Sequence, residues 1–183
     1  MHGGDQRGDG IGASKRRAED HRLLTGQGVF ASDITPASTC HAAIVRSPYA
    51  HATIHSVDIQ TVAARPDVLA VLTGADAAAD GLAPIPHNVS WSGAPDATLR
   101  LPPGFEVFAT KHLPLPVDRV RHVGEAVAIV VAETAAGAVD AAESVKVDYE
   151  ELPAVTDARM AMTPEAPQVW QDCDHNMALT CEV

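Results

Sequence analysis

The side chains best suited to chemistry in this chain are its nine histidines and three cysteines, since these residue types bind transition metals and move protons in enzymes. Their spacing argues against a metal site. His51 and His55 are four residues apart on a predicted strand, so they lie roughly 13 Å apart along the chain at about 3.3 Å per residue and cannot share one ion without a sharp bend. Cys40 and His41 are adjacent and would point to opposite faces of a strand. We therefore expect surface or interface histidines and no bound metal.

A thiol and its general base are conceivable at the adjacent residues Cys173, Asp174 and His175. Adjacent side chains rarely orient in that way, and no predicted secondary structure supports the segment. Cys181 lies close to the C-terminus, where a thiol is expected to be incidental or buried by a partner. We predict no catalytic role for either cysteine.

The carboxylate of Glu125 opens the most apolar strand of the sequence and is the acidic group best placed for a function. The simpler interpretation is that it accepts backbone hydrogen bonds within a loop, and the functional alternative stays open here. Gly124, which precedes it, is predicted to supply a positive φ angle, a conformation that glycine adopts without steric cost.

Sequence motifs that mark well-known active sites are missing. Gly8, Gly10 and Gly12 resemble a phosphate-binding loop only superficially, because no strand pattern precedes them and no helix pattern follows. The sequence also lacks Cys-rich iron–sulfur spacing and a nucleophile elbow. Judged by its motifs alone, the chain has no active site.

Composition restricts the classes of partner. The net charge of −11 argues against nucleic acid and against an anionic membrane, both of which require a basic surface. The first residues have no apolar core of the kind found in signal peptides, and no apolar stretch reaches the ~20 residues needed to span a bilayer. Three cysteines without a close pair indicate reduced thiols. We therefore expect a cytoplasmic protein that binds neither nucleic acid nor membranes.

Hydrophobic patterning predicts an α+β domain of five strands and three short helices. The strands are predicted at 40–46, 51–58, 68–73, 126–132 and 145–149, and the helices at 59–64, 74–79 (a helix or a turn) and 135–144. In the strand at 51–58, Ala52, Ile54 and Ser56 should share one face, because side chains alternate along a strand.

The run at 126–132 does not alternate between apolar and polar residues, so both of its faces, including Ile129 and Val130, should be buried. Thr134 is predicted to cap the helix that follows. The succession of strand, helix and strand over 126–149 predicts a right-handed β-α-β crossover within a mixed sheet.

Three segments fall outside this pattern. Residues 1–16 are glycine-rich and polar and are predicted to form a flexible arm, which leaves a core domain at 17–155. Residues 82–116 contain seven prolines and are predicted to form a long surface loop that is sensitive to proteases. Residues 156–183 are predicted to be irregular and acidic. From Asp148 onward there are eight acidic residues and one basic residue, Arg159, so this tail is either solvated or docked on a basic partner surface.

Several segments, taken in order and with their spacing, resemble the N-terminal part of the molybdenum-binding large subunit of the xanthine dehydrogenase/aldehyde oxidase family. The likeness is greatest to the bacterial branch that includes carbon monoxide dehydrogenase-like enzymes. The segments are Ile11–Asp20, Leu23–Gly28, Asp33–Ile34, His41–Ala52, Val71–Asp76, Val123–Ala128, Val131–Thr134 and Val147–Val155. Each is weak alone, but together they extend over nearly the whole chain. Ala126 stands where the family often has a proline after Gly-Glu.

This resemblance implies an α/β hammerhead-type domain with an irregular C-terminal tail. In that family the molybdopterin-binding domains, and the glutamate thought to act as a base, lie further along the large subunit, and none of their motifs matches a position here. We therefore assign no catalytic, cofactor-binding or metal-binding residue to this chain. It ends at Val183, where such a subunit would begin its metal-cofactor half, and we expect a naturally split subunit or a shortened polypeptide.

The resemblance also implies a reaction for the complete enzyme. That reaction is hydroxylation of a carbon centre beside nitrogen or oxygen, with water as the oxygen source and electrons passed from molybdenum to iron–sulfur clusters and FAD. This chain would be a non-catalytic structural piece that binds none of these cofactors. Its expected partners are a molybdopterin-binding large-subunit polypeptide and iron–sulfur and FAD subunits, toward which a severed domain would expose apolar surface. The alternative is an orphan hammerhead domain that acts as an interaction or adaptor module without redox activity.

Overall fold

The computed structural model describes residues 17–86, 103–104, 107–173 and 175–180. The predicted arm at 1–16 and most of the predicted proline-rich loop lie outside the described residues, so both stay predictions. The chain divides into two compact units, Met1–Thr39 and Cys40–Val183.

The described part of the first unit contains one short helix, α1 at Asp20–Leu24, and a 3₁₀ turn at Ala31–Asp33. The hydroxyl of Thr25 ends the helix by donating a hydrogen bond to the carbonyl oxygen of His21 at 2.8 Å. Gly26 follows with a φ of 72°, a left-handed conformation that commonly terminates helices because glycine has no Cβ to clash.

The second unit contains six strands and three helices among its described residues. The strands are β1 His41–Arg46, β2 Ala52–Asp58, β3 Val68–Thr73, β4 Arg119–Val120, β5 Ala126–Ala132 and β6 Lys146–Glu151. The helices are α2 Gln60–Ala63, α3 Gly74–Ala79 and α4 Ala135–Glu143, and a 3₁₀ turn follows at Met160–Met162. Every strand and helix predicted from the sequence is confirmed to within two residues, and β4 is an additional short strand.

The strands form two three-stranded sheets. The first sheet has the order β1–β5–β3, and the second has the order β4–β2–β6. All of the strand pairs are antiparallel. Helix α4 packs on the first sheet, mainly against β1 and β5, so each layer covers an apolar face of its neighbour.

The predicted β-α-β crossover does not form. β5 and β6 flank α4 in the sequence, yet they belong to different sheets. β6 pairs with β2 instead, with Val147 opposite Val57 and Tyr149 opposite Ile54. The prediction of a mixed sheet with a parallel crossover is therefore wrong. A local strand–helix–strand pattern does not reveal which distant strand supplies the hydrogen-bonding partner.

β5 is the central strand of the first sheet, as its unbroken apolar pattern predicts. Val130 is fully buried and packs with Val62 of α2 and Ala141 of α4. Val127 is also fully buried, but it packs in a second cluster with residues of the other sheet, namely Ala52, Ile54 and Val120. One strand thus supplies side chains to both apolar cores of the unit.

The prediction that both faces of β5 are buried is wrong at Ile129, which is only partly buried. Ile129 and Val130 point to opposite faces of the strand. Val130 lies on the side of the sheet that α4 covers, whereas Ile129 lies on the opposite side, which is left partly open.

A strand irregularity also changes the face of β2. Ala52 and Ile54 share a buried face, as predicted, but Ser56 is exposed. The register with β6 shifts between Ile54 and Ser56, and an extra residue of this kind displaces the alternation of the side chains that follow. Val57 packs against the core in place of Ser56. The prediction for Ser56 is wrong because a simple alternation rule has no signal for a bulge.

Threonine caps begin two of the helices. The side chain of Thr134 accepts a hydrogen bond from the N–H of Gly137 at 3.0 Å at the start of α4, which confirms the predicted cap. At the start of α3, the backbone N–H and the hydroxyl of Thr73 both donate to the Asp76 carboxylate, at 2.8 and 2.7 Å. These bonds lower the pKa of Asp76 and favour the helix over the alternative turn at 74–79.

Replacing Val130 by alanine should destabilise the protein by about 2 kcal/mol, because two methyl groups leave a fully buried site and a cavity remains. The control is Leu72→Ala in β3, where the side chain keeps 43% of its surface exposed and the loss should be much smaller. Urea unfolding followed by circular dichroism measures both. Equal losses at the two sites would contradict this placement of the core.

A glycine at the start of α3 should resist substitution. A Cβ at Gly74 would lie 2.2 Å from the carbonyl oxygen of Pro116, so the backbone at 115–116 would have to move. Gly74→Ala should cost roughly 1–3 kcal/mol of unfolding free energy, although alanine is the better helix former. Ala75→Ser, at the next and exposed position, is the control in the same urea titration. A more stable Gly74→Ala protein would refute this close approach.

Candidate functional site

The structure separates the two histidines that the sequence places together. His51 is buried, with 6% of its surface exposed, and its Nδ1 lies 2.8 Å from the carbonyl oxygen of Pro153. His55 is exposed, and its Nε2 lies 3.2 Å from a carboxylate oxygen of Glu150. The prediction of surface or interface histidines is confirmed for His55, which is exposed, and is wrong for His51, which is buried by its own chain. The chain that follows β6 lies over His51, because the N–H of Leu152 bonds to its carbonyl oxygen at 2.9 Å.

The two cysteines in the described residues differ in their surroundings. Cys40 is exposed, and Cys173 is buried. The Sγ of Cys173 lies 3.8 Å from the carbonyl oxygen of Met177, while His175 is exposed. A buried thiol beside a backbone carbonyl is a packing group and not an activated nucleophile. Asp174 and Cys181 lie outside the described residues.

Glu125 closes the loop between β4 and β5. Its Oε2 accepts a hydrogen bond from the backbone N–H of Arg121, and its side chain is 13% exposed. Gly124 has a φ of 84°, and its N–H donates to the carbonyl oxygen of Ser47 at 2.8 Å. The N–H of Ser47 donates in return to the carbonyl oxygen of Glu125 at 2.9 Å. The interpretation of Glu125 as a loop acceptor and of Gly124 as a positive-φ residue is confirmed.

Arg121, which follows β4, is a partly buried cation held against an aromatic ring. Its guanidinium carbon lies 3.9 Å from the ring centroid of Trp170, a cation–π geometry. Nη1 donates to the carbonyl oxygen of Arg119 at 3.2 Å, and Nε is buried without a hydrogen-bond partner among the described residues. Burial lowers the pKa of Arg121 despite the nearby carboxylates of Asp118 and Glu125. Desolvation therefore outweighs the attraction of the surrounding carboxylates, which also include Asp172.

The groups around Arg121 line a small cavity, which we call the basic cleft. It has a volume of about 150 Å³, and its lining residues are Thr110, Lys111, His112, Leu113, Pro116, Arg121, His122, Glu125 and Trp170. Among the described residues, its lining carries two permanent cations, Lys111 and Arg121, and one carboxylate, that of Glu125. The Nδ1 of His122 lies 3.6 Å from Oε2 of Glu125. The basic cleft has the chemistry of an anion site, and no cysteine or serine is among its described lining residues.

The C-terminal segment is irregular, as predicted, but it is folded and internally bonded. Asn176 adopts a left-handed φ of 51°, which asparagine tolerates better than most residues. Its side chain accepts a hydrogen bond from the N–H of Val169 at 2.8 Å. It also donates to the carbonyl oxygens of Pro167 and Ala161, at 2.9 and 3.1 Å. One amide side chain thereby fixes the course of the chain from 161 to 176.

The same segment forms a wall of the basic cleft. The ring centroids of Phe108 and Trp170 are 6.2 Å apart, and the N–H of Phe108 donates to the carbonyl oxygen of Ala178 at 3.0 Å. Trp170 also stacks on Arg121. The described part of the acidic tail is therefore docked on a cation of its own chain.

A second surface is apolar. Ile44, Ile129 and Leu72 lie opposite one another across β1, β5 and β3, on the face away from α4. Ile44 and Leu72 are 44% and 43% exposed, and Leu69, at the irregularity of β3, is 56% exposed. Three branched side chains in register on a central part of a sheet are typical of a buried surface. We call these four residues the open sheet face.

Sequence reasoning missed Arg121, Trp170 and Asn176. The composition around Arg119 and Arg121 hints at a basic patch, but only the fold brings Trp170 onto Arg121. Asn176 had a weak signal, because asparagine is enriched at left-handed positions in irregular segments.

Comparison with known proteins covers most of the chain. Residues 25–153 match the family model described as aldehyde oxidase and xanthine dehydrogenase, a/b hammerhead domain. The chain is 34% identical over 168 residues to the carbon monoxide dehydrogenase large chain of Afipia carboxidovorans, a match that covers 92% of this chain and 18% of the relative. It is 38% identical over 152 residues to the nicotine 6-hydroxylase large subunit of Paenarthrobacter nicotinovorans, covering 83% of this chain and 17% of the relative.

Solved structures show the same fold. The TM-score to quinoline 2-oxidoreductase from Pseudomonas putida is 0.69 at 39% sequence identity, and the match covers 85% of this chain and 18% of that chain. The TM-score to a Cu,Mo-containing CO dehydrogenase is 0.68 at 33% identity, covering 86% and 18%. The fold is thus the hammerhead fold of molybdenum hydroxylases. The chain belongs to the aldehyde oxidase and xanthine dehydrogenase family, and it spans less than a fifth of the length of the curated relatives it matches.

Replacing Asn176 by glycine should loosen the tail, because glycine keeps the left-handed backbone but removes three side-chain hydrogen bonds. Hydrogen exchange at the N–H of Val169 should become faster by roughly tenfold or more. His175→Ala, at the exposed neighbouring position, is the control and should exchange at the original rate. Unchanged exchange in Asn176→Gly would show that the side chain does not order this segment.

Proposed function

We propose that this chain is the non-catalytic hammerhead piece of the large subunit of a molybdenum hydroxylase. In this proposal it acts in complex with a polypeptide that carries the molybdopterin-binding domains, together with iron–sulfur and FAD subunits. The observation that carries the proposal is the open sheet face, in a chain of this family that spans less than a fifth of its relatives' length.

The open sheet face supports an assembly role on physical grounds. The side chains of Ile44, Ile129 and Leu72 align across three strands, so they form a continuous apolar strip and not scattered exposed residues. Contiguous apolar surface of this kind is characteristic of interfaces. Burying it against an apolar surface of the companion polypeptide would stabilise the complex by removing hydrocarbon from water.

The names of the relatives support the class of reaction. Nicotine 6-hydroxylase and quinoline 2-oxidoreductase are named for nitrogen heterocycles, and another relative is named for carbon monoxide. We propose that the assembled enzyme hydroxylates a carbon centre beside nitrogen or oxygen, takes the oxygen atom from water and passes the electrons to iron–sulfur and FAD centres.

The described residues of this chain do not fit a metal cofactor of that enzyme. Within the described ranges, no group of three or more His, Cys, Asp or Glu side chains is placed to hold a metal ion. Cys40 is exposed and Cys173 is buried, whereas an iron–sulfur cluster needs several thiolates that converge on it. We therefore propose that the cofactors are bound by the companion polypeptides, and we assign no step of the hydroxylation to residues of this chain.

The chain's own contribution would be a preformed docking surface. β5 is anchored in two cores, so the strip centred on Ile129 is presented by a rigid element. We propose that the protein works in the cytoplasm. In the described ranges, no helix is long and apolar enough to span a bilayer.

The alternative function is that of an adaptor module, a hammerhead domain that binds proteins without taking part in redox chemistry. The open sheet face fits that role equally well, because an interface does not reveal what its partner does. Molybdenum content and hydroxylase activity of the complex distinguish the two functions.

Co-expression of this chain with a large-subunit polypeptide that carries the molybdopterin-binding domains tests the proposal. The two should co-purify, and molybdenum content and hydroxylase activity should depend on this chain. Leu72→Asp places a charge on the open sheet face and should reduce co-purification at least about tenfold, because burial of an unpaired carboxylate is costly.

The matched control is Val139→Asp on α4, where the side chain is 50% exposed and lies outside the open sheet face. It should leave association unchanged. If the companion polypeptide is fully metallated and active without this chain, the subunit proposal fails and the adaptor function replaces it. If Leu72→Asp associates normally, the interface lies elsewhere.

A further inference from the structure

The basic cleft has no part in the proposed function, yet its composition is that of a binding site. We propose that it binds one oxyanion group, a phosphate or a carboxylate, at the guanidinium of Arg121 with the support of Lys111. Both residues line the same cavity of about 150 Å³.

The guanidinium of Arg121 is the first argument. It carries five N–H donors in a planar fork. One of its nitrogens donates to the carbonyl oxygen of Arg119, whereas its buried Nε has no partner among the described residues. Buried donors are nearly always paired in folded proteins, since an unpaired one is costly. The ring of Trp170 covers one face of the guanidinium, so a further acceptor would have to approach in the plane of the fork.

The charge of the cavity is the second argument. Lys111 and Arg121 are two permanent cations, and Glu125 is the one carboxylate among the described lining residues. An oxygen of Glu125 already accepts the backbone N–H of Arg121 and lies beside His122. That carboxylate is therefore held by the loop and does not by itself balance both cations. The carboxylates of Asp118 and Asp172 also attract Arg121, but neither residue lines the cavity, so the cations that face the cavity leave room for an anion there.

The size and walls of the cavity select the ligand. A volume of about 150 Å³ is smaller than the roughly 300–1,000 Å³ of sites for drug-sized molecules, so the basic cleft suits a single anionic group. Leu113, Pro116 and Trp170 form its apolar side. Apolar walls lower the local dielectric and strengthen a charge-assisted hydrogen bond.

Titration of the full chain with inorganic phosphate tests this inference. The probe is the ¹H–¹⁵N NMR signal of the Trp170 indole and of the Arg121 Nε–H, with sodium chloride at matched ionic strength as the blank. We expect saturable shifts with a dissociation constant that is roughly millimolar, and none with chloride. Acetate in a parallel titration distinguishes the source: tighter binding of acetate indicates a carboxylate ligand, and tighter binding of phosphate indicates a phosphate ligand.

Two lysine variants accompany Arg121→Gln, because Arg121→Gln also removes the stacking on Trp170 and so could act through the fold. Lys111→Gln removes a cation of the basic cleft and should weaken binding several-fold. Lys146→Gln makes the same change on β6, away from the lining residues, and should leave it unchanged. Arg121→Gln, where it folds, should weaken binding at least about tenfold. Equal effects of the two lysine variants, or shifts that do not saturate, would overturn the inference. None of these outcomes depends on whether the chain joins a molybdenum hydroxylase.

Discussion

The structure of the second unit depends on the position of β5 between two apolar cores. Val130 on one side of the strand packs under α2 and α4, while Val127 near its start packs into the core of the other sheet. Its backbone pairs with both β1 and β3. Apolar side chains are needed at Val127 and Val130 for this role, because a polar side chain at either position would be buried without a partner. Because β5 packs in both cores and pairs on both sides, it also holds the open sheet face rigidly.

A second constraint joins the C-terminal segment to the loop after β4. Trp170 stacks on Arg121, and Glu125 accepts the backbone N–H of the same arginine. Trp170 thus holds the guanidinium of Arg121 and Glu125 holds its backbone, while the side chain of Asn176 holds the segment that carries Trp170. Chain without regular secondary structure is ordered here by a few side-chain contacts, and these contacts create the basic cleft.

Membership of this family does not by itself assign a reaction to the domain. Relatives such as the nicotine 6-hydroxylase large subunit are more than five times longer than the segment matched here. Function in this family is a property of sites placed on the fold, so the fold itself does not fix a reaction. Under the proposed function, the surfaces of this domain matter more than any single side chain of its interior.

Local patterns in the sequence determined a large part of the fold. The strand and helix positions, the Thr134 cap and the positive φ of Gly124 follow from periodicity and from the chemistry of single residues, which act within a few positions along the chain. The order of motifs also led to the hammerhead domain. The poor spacing of His51 and His55 for a shared metal ion agrees with the opposite surroundings of the two side chains.

Contacts between distant segments decided the rest. The sequence did not reveal that β6 pairs with β2 and not with β5, because hydrogen-bonding partners are chosen by the packing of whole faces. It also gave no signal for the bulge in β2, after which Val57 and not Ser56 packs against the core. Nor did it indicate that His51 is buried next to Pro153, or that the sheet face around Ile129 is open. The basic cleft depends on residues 49 positions apart, Arg121 and Trp170, and such pairs leave no periodic trace. Secondary structure was encoded locally, whereas both candidate surfaces arose only when the chain packed on itself.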